Sequence, residues 1–142
     1  MLIQTEYEAD QQPTEASTCA AVSKVVLLVD DDQGFLLASA KILGAAGFAV
    51  LEADGFRRAL EFIEGGERID LMLTDLVMPE QVNGLALSRM ARMRRPDMRI
   101  LYLTAYDIPG ASDEALGPIL SKPIADDALV DAVRHALAAR GE

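Results

Sequence analysis

The sequence predicts an α/β domain, an open parallel sheet with helices on both faces. Three observations predict it. Short apolar runs rich in β-branched residues alternate five times with longer stretches at helical spacing. Several of those runs are apolar at successive positions, as strands covered on both faces are. Polar residues suited to chemistry follow the runs, where ligands bind in open parallel sheets.

The elements follow in order from Lys24. The run from Val25 to Val29 is a buried strand ended by acids. Phe35, Leu36, Ala38, Ser39, Ile42, Leu43 and Ala46 share one helical face, and Gly47 ends that helix as a C-cap residue. Phe48 to Ala53 reads as a strand, Phe56 to Glu64 as a helix stopped by Gly65 and Gly66, and Ile69 to Thr74 as a strand running into Asp75. Leu85 to Arg94 is helical and Pro96 closes it. Arg99 to Leu103 is a strand, Asp107 to Gly117 has little periodicity, Ile119 to Ser121 is a short strand, and Asp126 to Ala139 is a last helix. Five strands joined by right-handed crossovers give the parallel sheet.

The chain has 142 residues, 51% of them hydrophobic and 25% charged, which suits one globular domain and excludes disorder of the whole chain. Residues 1–23 carry Glu6, Glu8, Asp10 and Glu15, no Lys or Arg, and no apolar period, so they read as a flexible acidic tail ahead of a domain spanning 24–142. The formal charge of −10 repels phosphate backbones and anionic lipid. Nothing resembles a DNA-reading helix, and no apolar run approaches the roughly 20 residues of a membrane span. Neither nucleic acid nor membrane is therefore expected as a partner. Cys19, the one cysteine, excludes an intramolecular disulfide and a Cys-rich zinc site and suits a reducing, cytoplasmic setting.

The strand ends select the acids 30–32, Asp75, Thr104 and Lys122 as one set. Asp30, Asp31 and Asp32 crowd three carboxylates together, and Asp75 should approach them at the same sheet edge. A hard cation relieves that repulsion, and carboxylates with a carbonyl and waters describe Mg²⁺ better than zinc. Asp32 has an equal claim as the N-cap of the helix that follows. A metal beside a carboxylate, a hydroxyl and an ammonium is the layout for phosphoryl transfer, with Asp75 as nucleophile.

These residues resemble the receiver domain of two-component response regulators over about Lys24 to Ala139. VLLVDDD is similar to the family's first strand with its acidic pair at Asp30 and Asp31; LMLTDLVMPEQVNG, to the acceptor segment around Asp75, with Gly84 opening the next helix. ILYLTAY and ILSKP supply Thr104 and Lys122-Pro123. The resemblance implies the flavodoxin-like (CheY-like) strand order 2-1-3-4-5 and phosphorylation on Asp75. It implies Mg²⁺ held by Asp31, Asp75 and the Val77 carbonyl, with Asp30 acting through water. Lys122 would pair with Asp75, and Thr104 and the Ala105 amide would bind phosphoryl oxygens and draw the fourth strand inward. The implied partner is a histidine kinase or histidine phosphotransfer protein. The chain would act as a phosphoacceptor with self-catalysed transfer and hydrolysis rather than as an enzyme. It would signal by contact with a downstream protein or serve as a phosphate sink, as a monomer or a weak, phosphorylation-dependent homodimer.

The pattern departs from the family at several points. Pro109, Gly110, Gly117 and Pro118 interrupt the segment before Lys122, so the fourth helix is expected to be a turn or two or missing. Ile119 stands where the family often has an aromatic switch residue, and Tyr106 is a candidate to take over part of that role. Ile124 follows Lys122-Pro123 where Phe is common. The acceptor loop Met78 to Gly84 holds one residue more than the family's usual pattern. A receiver subgroup with a Phe-Ala-Thr-Gly-Tyr-like fourth strand is similar on these points. Val77 and Tyr106, bulky beside the acceptor, imply slow phosphate loss.

Competing readings are a pseudo-receiver that binds partners without switching, and a small phosphatase of the haloacid-dehalogenase type suggested by Asp30-x-Asp32. Gly34 and the short chain weigh against the phosphatase. Arg89, Arg92, Arg94, Arg95 and Arg99 gather around a helix C-terminus, where cations are favoured, and a docking patch is the lesser reading. Met72, Met78, Met90, Met93 and Met98 read as fillers of the core and its edge, and His135 as a surface or half-buried residue rather than a phosphodonor.

Overall fold

The structure, a computed structural model, describes residues 23–78 and 83–138. Nearly all of the expected tail, residues 79–82 of the acceptor loop and the expected helix end at Ala139 lie outside the described residues. The elements are β1 (Val25–Val29), α1 (Gln33–Ala45), β2 (Ala49–Ala53), α2 (Phe56–Glu64), β3 (Leu71–Asp75), α3 (Gly84–Arg94), β4 (Arg99–Thr104), α4 (Ala111–Glu114), β5 (Ile119–Ser121) and α5 (Asp126–Ala138). All pairings are parallel, in the order 2-1-3-4-5.

The sheet buries both faces because its central strands are apolar at successive positions. Leu27, Val29 and Met72 face α2 and α3, where Ala59, Ile63, Leu87 and Ala91 pack on them. Val26, Leu28, Leu71, Leu73, Leu101 and Leu103 face Leu36 and Leu43 of α1 and Leu129 and Val133 of α5. A smaller cluster of Leu76, Ile100, Tyr102 and Ala111 lies under the one-turn α4. Burying a Leu or Val contributes roughly 1.5–3 kcal/mol, so these two faces carry the fold.

The boundaries depart from the sequence expectations by a residue or two, as helix and strand ends do. α1 starts at Gln33 because the Asp32 carboxylate accepts from the Phe35 N–H at 3.2 Å, and it ends with Ala46 as C-cap and Gly47 beyond. Asp75 and Thr104 belong to their strands, since the ladder continues through Asp75 to Leu103 and through Thr104 to Ser121. Met72, Met78 and Met98 are buried, but Met90 and Met93 are not core fillers, and Met93 is 81% exposed. α3 turns Leu87, Ser88 and Ala91 inward, and 100° per residue carries positions 90 and 93 to its outer side.

The arginines act structurally. Arg95 donates to the carbonyls of Phe62, Ile63, Gly65 and Glu67, so it closes the C-terminus of the neighbouring α2 rather than its own helix. Arg94 pairs with Glu64, and Arg89 with Glu114. His135 is exposed on α5.

Candidate functional site

The polar residues gather where β1, β3, β4 and β5 end. β1 delivers Asp30, whose N–H donates to the Ala53 carbonyl at 3.1 Å and whose Oδ1 accepts from the Asp32 N–H at 2.9 Å. β3 delivers Asp75, whose Oδ1 accepts from the Val77 N–H at 3.3 Å. β5 delivers Lys122, whose Nζ lies 2.7 Å from Asp30 Oδ2 and 3.5 Å from Asp75 Oδ2. The resemblance implied a Lys122–Asp75 pair. The ammonium instead bridges both carboxylates and sits nearer Asp30. Carboxylate oxygens of Asp30, Asp31 and Asp75 lie within 4.8 Å of one another, with Asp31 exposed and the other two buried.

Two further residues fix this arrangement, and the sequence reading passed over one of them. The Phe35 ring lies 4.3 Å from Lys122 Nζ, giving the cation an aromatic face beneath it. Its only sequence signal is an aromatic in the first turn of the helix after the acids. Gly84 allows α3 to start against the acceptor strand, since a Cβ there would lie 2.4 Å from the Asp75 carbonyl oxygen.

The electrostatics follow from burial and spacing. Burial and then the Asp30 carboxylate raise the Asp75 pKa above its usual 3.8, against the pull of Lys122 and the Val77 N–H. Burial by itself would lower the Lys122 pKa, but its hydrogen bond to Asp30 and the charges of Asp30 and Asp75 outweigh it, and the net shift is upward from 10.5. Like charges this close favour a cation among them. The donor set contains no His or Cys, which fits Mg²⁺ rather than zinc. Asp30, Asp31 and Asp75, with the Val77 carbonyl, would hold it.

The β4 side is built from neutral groups. The Thr104 hydroxyl accepts from the Tyr106 N–H at 3.1 Å, and the Thr104 carbonyl from the Lys122 N–H at 2.8 Å. Ala105 is exposed beside it. Tyr106 is 64% exposed. An open groove of about 450 Å³ runs past Thr104, Tyr106, Ile108, Ile119 and Lys122. Tyr102, which the sequence reading treated only as part of a motif, is fully buried, and its hydroxyl is 2.6 Å from Ser88 Oγ. A phenol in an otherwise aliphatic strand interior was the available signal, because a buried Tyr O–H needs a partner.

Comparisons with known proteins agree with this geometry. The response regulator receiver domain family model matches residues 26–134. The response regulator receiver protein CpdR of Brucella abortus is 32% identical over 120 residues, which are 82% of this chain and 98% of that protein. The transcriptional regulatory protein GlrR of Escherichia coli is 33% identical over 116 residues, 79% of this chain; the chain spans only 26% of that protein's length. Among solved structures, a CheY-like response regulator receiver domain protein from Methanospirillum hungatei superposes with a TM-score of 0.76 at 28% identity, covering 82% of this chain and 94% of the other. Matched in sequence from β1 into α5 and in fold over 82% of its length, the chain belongs to the receiver domain family of two-component response regulators.

Proposed function

We propose that this chain is a stand-alone response regulator that accepts a phosphoryl group on Asp75 from a phosphohistidine and signals through protein contacts or acts as a phosphate sink. One observation carries the reading: Lys122 bridges Asp30 and Asp75, with Asp31 alongside, at the carboxyl end of the sheet. A module kept only for binding has no need of two buried carboxylates held around an ammonium. A reducing, cytoplasmic compartment fits the single cysteine.

In the transfer, an Asp75 carboxylate oxygen attacks phosphorus, the phosphorus–nitrogen bond breaks, and the imidazole leaves with the electron pair. The product is an acyl phosphate. Lys122 places positive charge beside the acceptor oxygen, where phosphoryl oxygens gain negative charge. Thr104 uses its oxygen on Tyr106 and keeps its hydroxyl hydrogen to donate to a phosphoryl oxygen. Mg²⁺, when bound by Asp30, Asp31 and Asp75, would supply charge neutralisation on the transferring group. An apolar groove of about 430 Å³ lined by Phe35, Ile42, Pro123, Ile124 and Leu129 opens beside Lys122 and offers a seat for the donor's helix.

Intact-mass spectrometry tests the reading after incubation with Mg²⁺ and either acetyl phosphate or a phosphorylated histidine phosphotransfer protein. Wild type gains one phosphoryl group and Asp75→Ala gains none. No adduct from either donor would overturn it and favour the pseudo-receiver, the reading supported by Ile119 in the usual aromatic position and by the one-turn α4.

A further inference from the structure

We infer that Tyr102 is a positioning residue that transmits movement of Thr104 to α3 and to the segment between α4 and β5. The inference rests on the acceptor reading above.

Strand alternation places Ile100, Tyr102 and Thr104 on one face of β4, in line with the acceptor end. Tyr102 holds the segment after α4 at two points: its N–H donates to the Pro118 carbonyl at 3.0 Å, and its hydroxyl accepts from the Leu116 N–H at 3.0 Å. Between those points Gly117 lies directly on the strand, since a Cβ there would fall 1.8 Å from the Ile100 carbonyl oxygen. The hydroxyl also donates to Ser88 Oγ at 2.6 Å, and Ser88 donates to the Leu85 carbonyl at 2.8 Å.

The chain of donors thus runs from Leu116 through Tyr102 and Ser88 into the first turn of α3. Each member is satisfied, so the network moves as a unit rather than yielding at a loose link. With α4 reduced to one turn and Ile119 aliphatic, this buried phenol is a side-chain link from β4 both to α3 and to the segment before β5. A shift of Thr104 toward a phosphoryl group on Asp75 displaces β4, and Tyr102 carries the displacement outward.

The test is amide NMR of the full chain with Mg²⁺, before and after addition of beryllofluoride as the phosphoryl analogue. In wild type the Thr104, Leu116 and Ser88 amides shift together. In Tyr102→Phe, Thr104 shifts as before while the Leu116 and Ser88 responses are lost. In Ser88→Ala the Leu116 response remains, a split that a loss of stability alone would not produce. Equal Leu116 and Ser88 responses in Tyr102→Phe overturn the inference, as does a wild-type Thr104 shift without a Leu116 shift. Absence of any Thr104 shift in wild type overturns the acceptor reading and this inference with it.

Discussion

On the β1–β3–β5 side of the acceptor, Lys122 already lies 2.7 Å from Asp30 and 3.5 Å from Asp75. On the β4 side, Thr104 is occupied by its own loop, Tyr106 points to solvent and an open groove of about 450 Å³ takes the place of a full fourth helix. The first side gathers three carboxylates around one ammonium and carries the electrostatic cost of doing so. The second is held by neutral hydrogen bonds and close backbone packing, and it retains room to move. The difference separates the charge that performs transfer from the strand that can report it.

The largest effect should come from the neutral side. Gly117→Ala would force a methyl into the Ile100 carbonyl, and we expect a loss of about 3 kcal/mol in urea unfolding, while Gly84→Ala against the Asp75 carbonyl costs less. If Gly84→Ala proved the worse, the linker at Gly117 would yield more readily than its close seating on β4 implies.

Lys122→Ala strands two buried carboxylates, and we expect a loss of about 2 kcal/mol without divalent cations. Removing the ammonium should also tighten Mg²⁺ binding several-fold, which a titration would measure. Unchanged stability would show that Asp30 and Asp75 do not depend on the bridge.

Asp75→Asn should melt a few degrees higher than wild type at pH 7 without Mg²⁺. The sign follows from the raised acid: its protonated form is the one the fold favours, so its stabilisation is complete below 3.8 and is lost as pH rises through the higher folded value. The advantage of the variant should therefore grow across that window and vanish at its acid end. Mg²⁺ should stabilise wild type and leave the variant nearly unmoved. A variant that melts lower at pH 7 would contradict this account.

The smallest effect belongs to the exposed Arg89–Glu114 pair, which joins α3 to α4. Arg89→Ala should cost about 0.5 kcal/mol or less, and less again in high salt. A larger loss would mean that α4 is held by this pair rather than by Tyr102 and the linker.

The fold was legible because the strands are apolar at successive positions. Val25–Val29 and Leu71–Asp75 can only be central, and the acids at their ends mark the carboxyl edge. The shortness of α4 was legible from Pro109, Gly110, Gly117 and Pro118. The outward turn of Met90 and Met93 was not, because hydrophobicity alone does not say which arc of a helix meets the sheet. Nor was the reach of Arg95 to α2, since a cation near a helix end fits its own helix equally well.

By itself the sequence determined which residues stand at the strand ends: the extent and succession of strands and helices follow from local hydrophobic pattern and turn chemistry, which neighbouring residues encode, while the order 2-1-3-4-5 was implied by the family resemblance. Only the tertiary structure decided how those residues pair. Lys122 lies 92 residues from Asp30 in sequence, and its choice of Asp30 over Asp75 depends on a fraction of the spacing between strands. The seating of Tyr102 between Ser88 and Leu116 was decided the same way, because buried polar groups select partners by proximity across the packed sheet, a distance no local pattern records.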